Sequence, residues 1–141
     1  MNTKAPPTYD SVQVGDTIAS LALPPISRTT LALFAGASND HNPMHIDIDF
    51  ARQSGLPDVF AHGMLSMAYL GRLLTQWVPQ ARLREFNARF VGITPLKDEI
   101  TCTGTVTEKF EQDGVRLVKL ALQTANQRGE ARILGDALVA L

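Results

Sequence analysis

Several large classes of protein are excluded by what this chain lacks. Of its 141 residues only one is cysteine, Cys102, so no internal disulfide can form and nothing suggests a secreted disulfide scaffold. Thirteen basic residues against fourteen acidic ones leave a net charge of −1, which offers no electrostatic footprint for nucleic acid or for an anionic membrane surface. No apolar run reaches the ~20 residues that a bilayer-spanning helix needs. The opening residues, MNTKAPPTYD, are polar and carry proline, without the apolar stretch of a signal peptide, so the default expectation is a cytoplasmic protein. Internal repeats, a Gly-rich phosphate loop, a nucleophile elbow and a Cys–His arrangement are also missing.

What is present fits one domain with a real core: 45% of the residues are apolar and 19% charged. Residues 1–10 read as a short tail, and 11–141 as the domain. Val14-Gly15-Asp16 signals a turn, and Thr17 to Leu23 a strand stopped by Pro24-Pro25. Ser27 stands at an N-cap position, with Leu31, Phe34, Ala35 and Ser38 at helical spacing behind it. A second, short helix is expected from an Asp47 cap to Ser54, with Gly55 just beyond its end. The stretch Met64 to Val78 has only Ser66, Arg72, Thr75 and Gln76 as polar residues, so it predicts a helix buried on most sides. Its Ala68 and Gly71 would let another backbone come close, and Gly71, without a side chain, could instead leave space for an acyl chain.

The rest reads as strands. Phe86, Ala88 and Phe90 alternate with polar neighbours, and Ile100, Cys102, Gly104 and Val106 alternate with four threonines. Asp113-Gly114 marks a hairpin, Val115 to Thr124 its returning strand, and Gln127 to Glu130 a turn before a last strand from Ala131. Long antiparallel strands with one buried helix predict an α+β domain whose sheet curls around that helix.

The chemistry is concentrated between Asn39 and Gly63, which holds all three histidines. Asp40 and His45 flank a proline-fixed turn, so a carboxylate and an imidazole can converge on one water and move protons near neutral pH. Asn42 offers donors and acceptors that can order the turn. Gly63 opens the apolar helix, where a backbone N–H without an intrahelical acceptor can polarise a carbonyl oxygen. Each also has a plainer reading: Asp40 as a turn cap, His45 as a satisfied core histidine, Gly63 as a packing glycine. His62 is expected to bond a loop carbonyl, and Cys102 to be inert core. A metal site from Asp40, His41, His45 and His62 is disfavoured, because Pro43 breaks the helix that would put His41 and His45 on one face.

Taken together, Asp40-His41-Asn42-Pro43-Met44-His45, a short helix, and Ala61-His62-Gly63-Met64-Leu65 leading into the long helix resemble the MaoC-like family of hot-dog-fold hydratases and dehydratases. The resemblance spans roughly residues 10–141. It includes (R)-specific enoyl-CoA hydratases and (R)-3-hydroxyacyl-ACP dehydratases. It implies a single hot-dog domain, no cofactor and no metal, with Asp40 and His45 as the catalytic pair. It also implies that Asn42 orders the loop and that the Gly63 N–H holds the thioester carbonyl of an acyl-CoA or acyl-ACP substrate. Some members carry a serine on the hot-dog helix where this chain has Gly71, which implies a roomier acyl pocket here. A homodimer joined edge to edge is implied, or a heteromer with a related subunit; in some heteromers one subunit has lost the pair that this chain keeps. The rivals are a hot-dog thioesterase, which usually carries a carboxylate on the long helix, a non-catalytic acyl-binding subunit, and a helix-turn-helix DNA binder. Met64 to Val78 contains no carboxylate, and the net charge and strand-rich half speak against DNA.

Overall fold

The computed structural model of the protein describes residues 5–141. Five antiparallel strands form one sheet: β1 (Leu21–Ala22), β2 (Leu83–Phe90), β3 (Thr101–Gln112), β4 (Val115–Ala125) and β5 (Ala131–Ala140), in the order β1-β3-β4-β5-β2. The three long strands β3, β4 and β5 are consecutive in sequence and in space, with β2 and the two-residue β1 at the edges. Three helices precede or interrupt the strands: α1 (Arg28–Ser38), α2 (Ile48–Gln53) and α3 (Gly63–Trp77).

Local chemistry accounts for most boundaries. The Ser27 hydroxyl accepts the Thr30 N–H at 3.1 Å and starts α1, which ends where Asn39 turns left-handed at φ 59°. Asp47 caps α2 by accepting the Asp49 and Phe50 N–H groups, and Gly55 follows at φ 85°. Asp113 and Gly114 both have positive φ, the conformation that a tight two-residue hairpin between β3 and β4 requires. The threonine alternation holds: Cys102, Gly104 and Val106 are buried, while Thr103 and Thr107 are exposed. The first strand is shorter than the sequence predicts. After the Thr17–Thr105 bridge and the Ile18 N–H bond to the Gly104 carbonyl, the chain leaves the edge of β3 and pairs regularly only at Leu21 and Ala22. Tyr9, placed by the sequence in the tail, packs against the core beneath the Lys109 ammonium.

Helix α3 is the centre of the sheet's concave side. Leu70, Leu73 and Leu74 pack with Val106 of β3, Val118 and Leu120 of β4, and Ala137 and Val139 of β5. Each such leucine contributes about 1.5–3 kcal/mol by leaving water. A second cluster, Ile26, Leu31, Ala51, Val59, Ala61 and Leu65, fastens α1, α2 and the loop before α3 to the helix's N-terminal half. This is the hot-dog arrangement. The expectation that α3 is buried on most sides needs correction: Met64 is 53% exposed and Ala68 is exposed. Arg72, Thr75 and Gln76 are exposed as well, and the flank of Met64, Met67, Ala68 and Gly71 faces a cavity instead of the sheet.

Candidate active site

The turn between α1 and α2 converges on the start of α3. Pro43–His45 forms a single 3-10 turn, with the Asn42 side chain accepting the Met44 N–H at 3.1 Å. Asp40 Oδ1 accepts the Asn42 N–H at 3.2 Å, so the carboxylate is oriented by its own loop. His45 is buried, and its Nδ1 lies 2.7 Å from the Phe60 carbonyl oxygen. A carbonyl only accepts, so Nδ1 carries the proton and Nε2 keeps its lone pair. His62 is 1% exposed, and its Nε2 donates to the Asp40 carbonyl oxygen at 3.1 Å, the loop-carbonyl bond that the sequence leads one to expect. Burial above all pushes the His62 imidazole below its ordinary value; the bond to Asp40 opposes that shift, and nearby His45 adds to it.

Asp40, His45 and His62 each place a ligand-type atom within 4.8 Å of the other two, while His41 is exposed and stands apart. No hydrogen bond joins the Asp40 and His45 side chains directly, and a gap of this size suits one bridging water. The His45 and His62 rings lie against each other at a tilt, centroids 4.0 Å apart and planes 32° apart. The sequence does not say which carbonyl His62 bonds, because that partner, Asp40, lies 22 residues earlier in the chain.

Two cavities flank the N-terminal half of α3. One, of about 440 Å³, is lined by Phe34, Ser38, Asp40, Met64, Met67, Ala68, Gly71 and Phe86. Asp40 is its polar end, and Gly71 is part of its apolar wall. The other, of about 170 Å³, is lined by Gly63 and Ser66 from the opposite flank, with Phe60, Phe90, Gly92 and Arg132 among its walls. Gly63 and Asp40 thus border different cavities, with the half-exposed Phe90 ring lying against Gly63: a Cβ there would stand 2.9 Å from two ring carbons. Cys102 is fully buried and its thiol is pushed up to about 12, so it stays protonated and inert. Among the described residues no helix is long and apolar enough to cross a membrane.

A five-stranded curled sheet around one helix, with a carboxylate and an imidazole close together at the helix's entrance, defines a hot-dog domain. Residues 11–127 match the MaoC like domain family, and the chain belongs to that family. The (R)-specific enoyl-CoA hydratase of Rhodospirillum rubrum is 34% identical over 101 residues, covering 70% of this chain and 69% of that protein. Fatty acid synthase subunit beta of Aspergillus oryzae is 38% identical over 74 residues, but the match spans only 4% of that much larger subunit. Among solved structures, the unliganded R-hydratase PhaJ1 from Pseudomonas aeruginosa superposes with a TM-score of 0.82 at 29% identity, covering 94% of this chain and 84% of that one. The (R)-hydratase from A. caviae involved in PHA biosynthesis gives a TM-score of 0.81 at 28% identity, over 93% and 98%. The named hydratases among these relatives are hydro-lyases.

Proposed function

We propose that this protein adds water across the α,β double bond of an enoyl thioester, or runs the reverse elimination from a 3-hydroxyacyl thioester, with (R) stereochemistry. The observation that carries this reading is the closeness of the Asp40 carboxylate to the His45 ring, a carboxylate oxygen and a ring nitrogen within 4.8 Å of each other beside an apolar cavity that Asp40 borders. A water in that gap donates one hydrogen to Asp40 and the other to His45 Nε2. As its oxygen bonds to Cβ, the second proton passes to His45 and the π electrons move toward the thioester carbonyl. The imidazolium then protonates Cα, so the substrate gains one water and both side chains return to their starting state. The negative charge that builds on the carbonyl oxygen is stabilised by the Gly63 N–H at the positive end of α3. Asn42 keeps the loop in shape, and Gly71 leaves room for the acyl chain.

The enzyme is read as working in pairs. β2 is an edge strand, and Phe90, Val91, Ile93 and Met64 beside it are 42–55% exposed. A second copy joined along β2 would cover them. The substrate carrier is CoA or an acyl carrier protein.

The test is enoyl-CoA hydration followed by loss of enoyl absorbance, alongside free thiol release to detect thioesterase activity. Asp40→Asn and His45→Gln are expected to lower kcat by roughly 100-fold or more, the usual worth of acid–base assistance. Near-normal hydration by both folded variants, or thiol release without hydration, would refute the reading.

A further inference from the structure

Two side chains in the smaller cavity are donors without acceptors. Ser66 is 1% exposed, one turn beyond Gly63, and its Oγ has no hydrogen-bond partner. A serine inside a helix commonly bonds the carbonyl four residues back, here that of His62, and Ser66 does not. The Arg132 side chain is 12% exposed, and its Nη2 is held by Asp98 Oδ2 at 3.1 Å and Glu130 Oε2 at 2.7 Å. Its Nε is buried and unpartnered. Both residues line the cavity of about 170 Å³ that Gly63 also borders. Gly92 helps keep that space open: a Cβ there would come within 3.1 Å of Arg132 Nη1.

The charge around Arg132 selects the class of acceptor. Arg132 and Arg128 are matched by Asp98 and Glu130, so the cluster sums to zero. A phosphate entering here would add uncompensated negative charge in a mostly apolar pocket, whereas a neutral carbonyl would satisfy buried donors at little electrostatic cost. The cavity lies beside the helix N-terminus assigned to the thioester carbonyl, on the flank opposite the acyl cavity. It is therefore placed to meet the arm on the sulfur side.

We propose that Ser66 and Arg132 bind an amide carbonyl of the pantetheine-type arm that carries the acyl group, so that this cavity distinguishes a natural carrier from a bare thioester. The inference rests on the enoyl-thioester reading above. Three crotonyl thioesters separate the possibilities: CoA, N-acetylcysteamine, which keeps the first amide, and S-butyl, which has none. In Ser66→Ala and Arg132→Lys, the ratio of kcat/KM for the N-acetylcysteamine substrate to that for the S-butyl substrate is expected to fall about 10-fold, as for loss of a buried hydrogen bond. Ser66→Ala removes only an unpaired hydroxyl, so its melting temperature is expected to match wild type or exceed it, which keeps the test open if Arg132→Lys fails to fold. An unchanged ratio in Ser66→Ala means that the donors are satisfied by water alone, and overturns the proposal. If wild type turns over none of the three, the reaction reading fails instead; calorimetric binding of pantetheine to wild type and Ser66→Ala then decides the cavity separately, with equal affinities, or no binding to either, overturning it.

Discussion

His62 offers a sharp test of how the site is held together. Its Nε2–H is the partner of the Asp40 carbonyl, and its ring packs on His45 at 4.0 Å and edge-on to Phe34 at 5.0 Å. His62→Phe keeps an aromatic ring in the same place and removes the donor. The part-buried carbonyl left unpaired costs at most about 1–3 kcal/mol, partly offset because the buried, unpartnered Nδ1 is removed too. An unfolding entropy of ~2.1 cal/mol/K per residue converts this into a loss of at most about 3–10 °C in Tm for a chain of this length. A pH dependence follows as well. The folded protein holds the His62 imidazole below its ordinary 6.5, mainly through burial. Above that pH the neutral ring contributes its full stability; as pH falls below it, the unfolded chain takes up a proton that the folded chain resists, and stability is lost. Phenylalanine takes up no proton. The gap in Tm between wild type and variant should therefore be widest near pH 8 and narrow toward pH 5, as read by thermal melts followed by circular dichroism. A gap that widens on acidification would show that His62 is not the neutral donor described.

Two further substitutions probe the cavity proposed for the acyl chain and the sheet. At Gly71 a Cβ would sit 3.6 Å from the Phe86 ring, an ordinary contact, so Gly71→Ala should be nearly neutral. Gly71→Leu fills space worth several methylenes at ~0.8 kcal/mol each, and should reduce kcat/KM for octenoyl-CoA relative to crotonyl-CoA by about 10–100-fold; an unchanged ratio would place the acyl chain elsewhere. Gly135 in β5 has the Asn87 carbonyl oxygen where a Cβ would be, between paired strands. Gly135→Ala should destabilise the fold by about 1–3 kcal/mol, measured by urea denaturation, and a midpoint equal to wild type would mean that β2 and β5 part more easily than their pairing suggests.

Where interactions are local, the sequence was a good guide to this fold. The Ser27 and Asp47 caps, the Asp113-Gly114 turn and the threonine alternation of β3 each rest on residues within a few positions of one another, and the helices and strands they mark are present. The edges were less legible. A two-residue β1 leaves too few positions for alternation to register. The cluster of Asp98, Asn126, Glu130 and Arg132 was invisible because strand pairing assembles it from segments about 30 residues apart. Asn126 and Glu130 stand beside a turn, where polar residues arouse no suspicion, and Arg132 opens a strand like any surface cation.

The open flank of α3 shows a deeper limit. Met64, Ala68 and Gly71 look the same in sequence whether they face a core, a partner or a bound chain, because all three environments exclude water and select apolar residues. Composition therefore predicts burial for the whole helix, and only the arrangement of the sheet shows which stripe it leaves uncovered. The polar residues behave in the opposite way. Ser66 would be ordinary on a solvated helix face, but buried without a partner it becomes informative, since an unpaired donor in a core costs stability unless something fills it. The two sides of one helix thus carry complementary signals, an apolar stripe left open and a buried hydroxyl left unpaired. Each marks space that the chain does not fill, and that space lies on both flanks of the N-terminal half of α3.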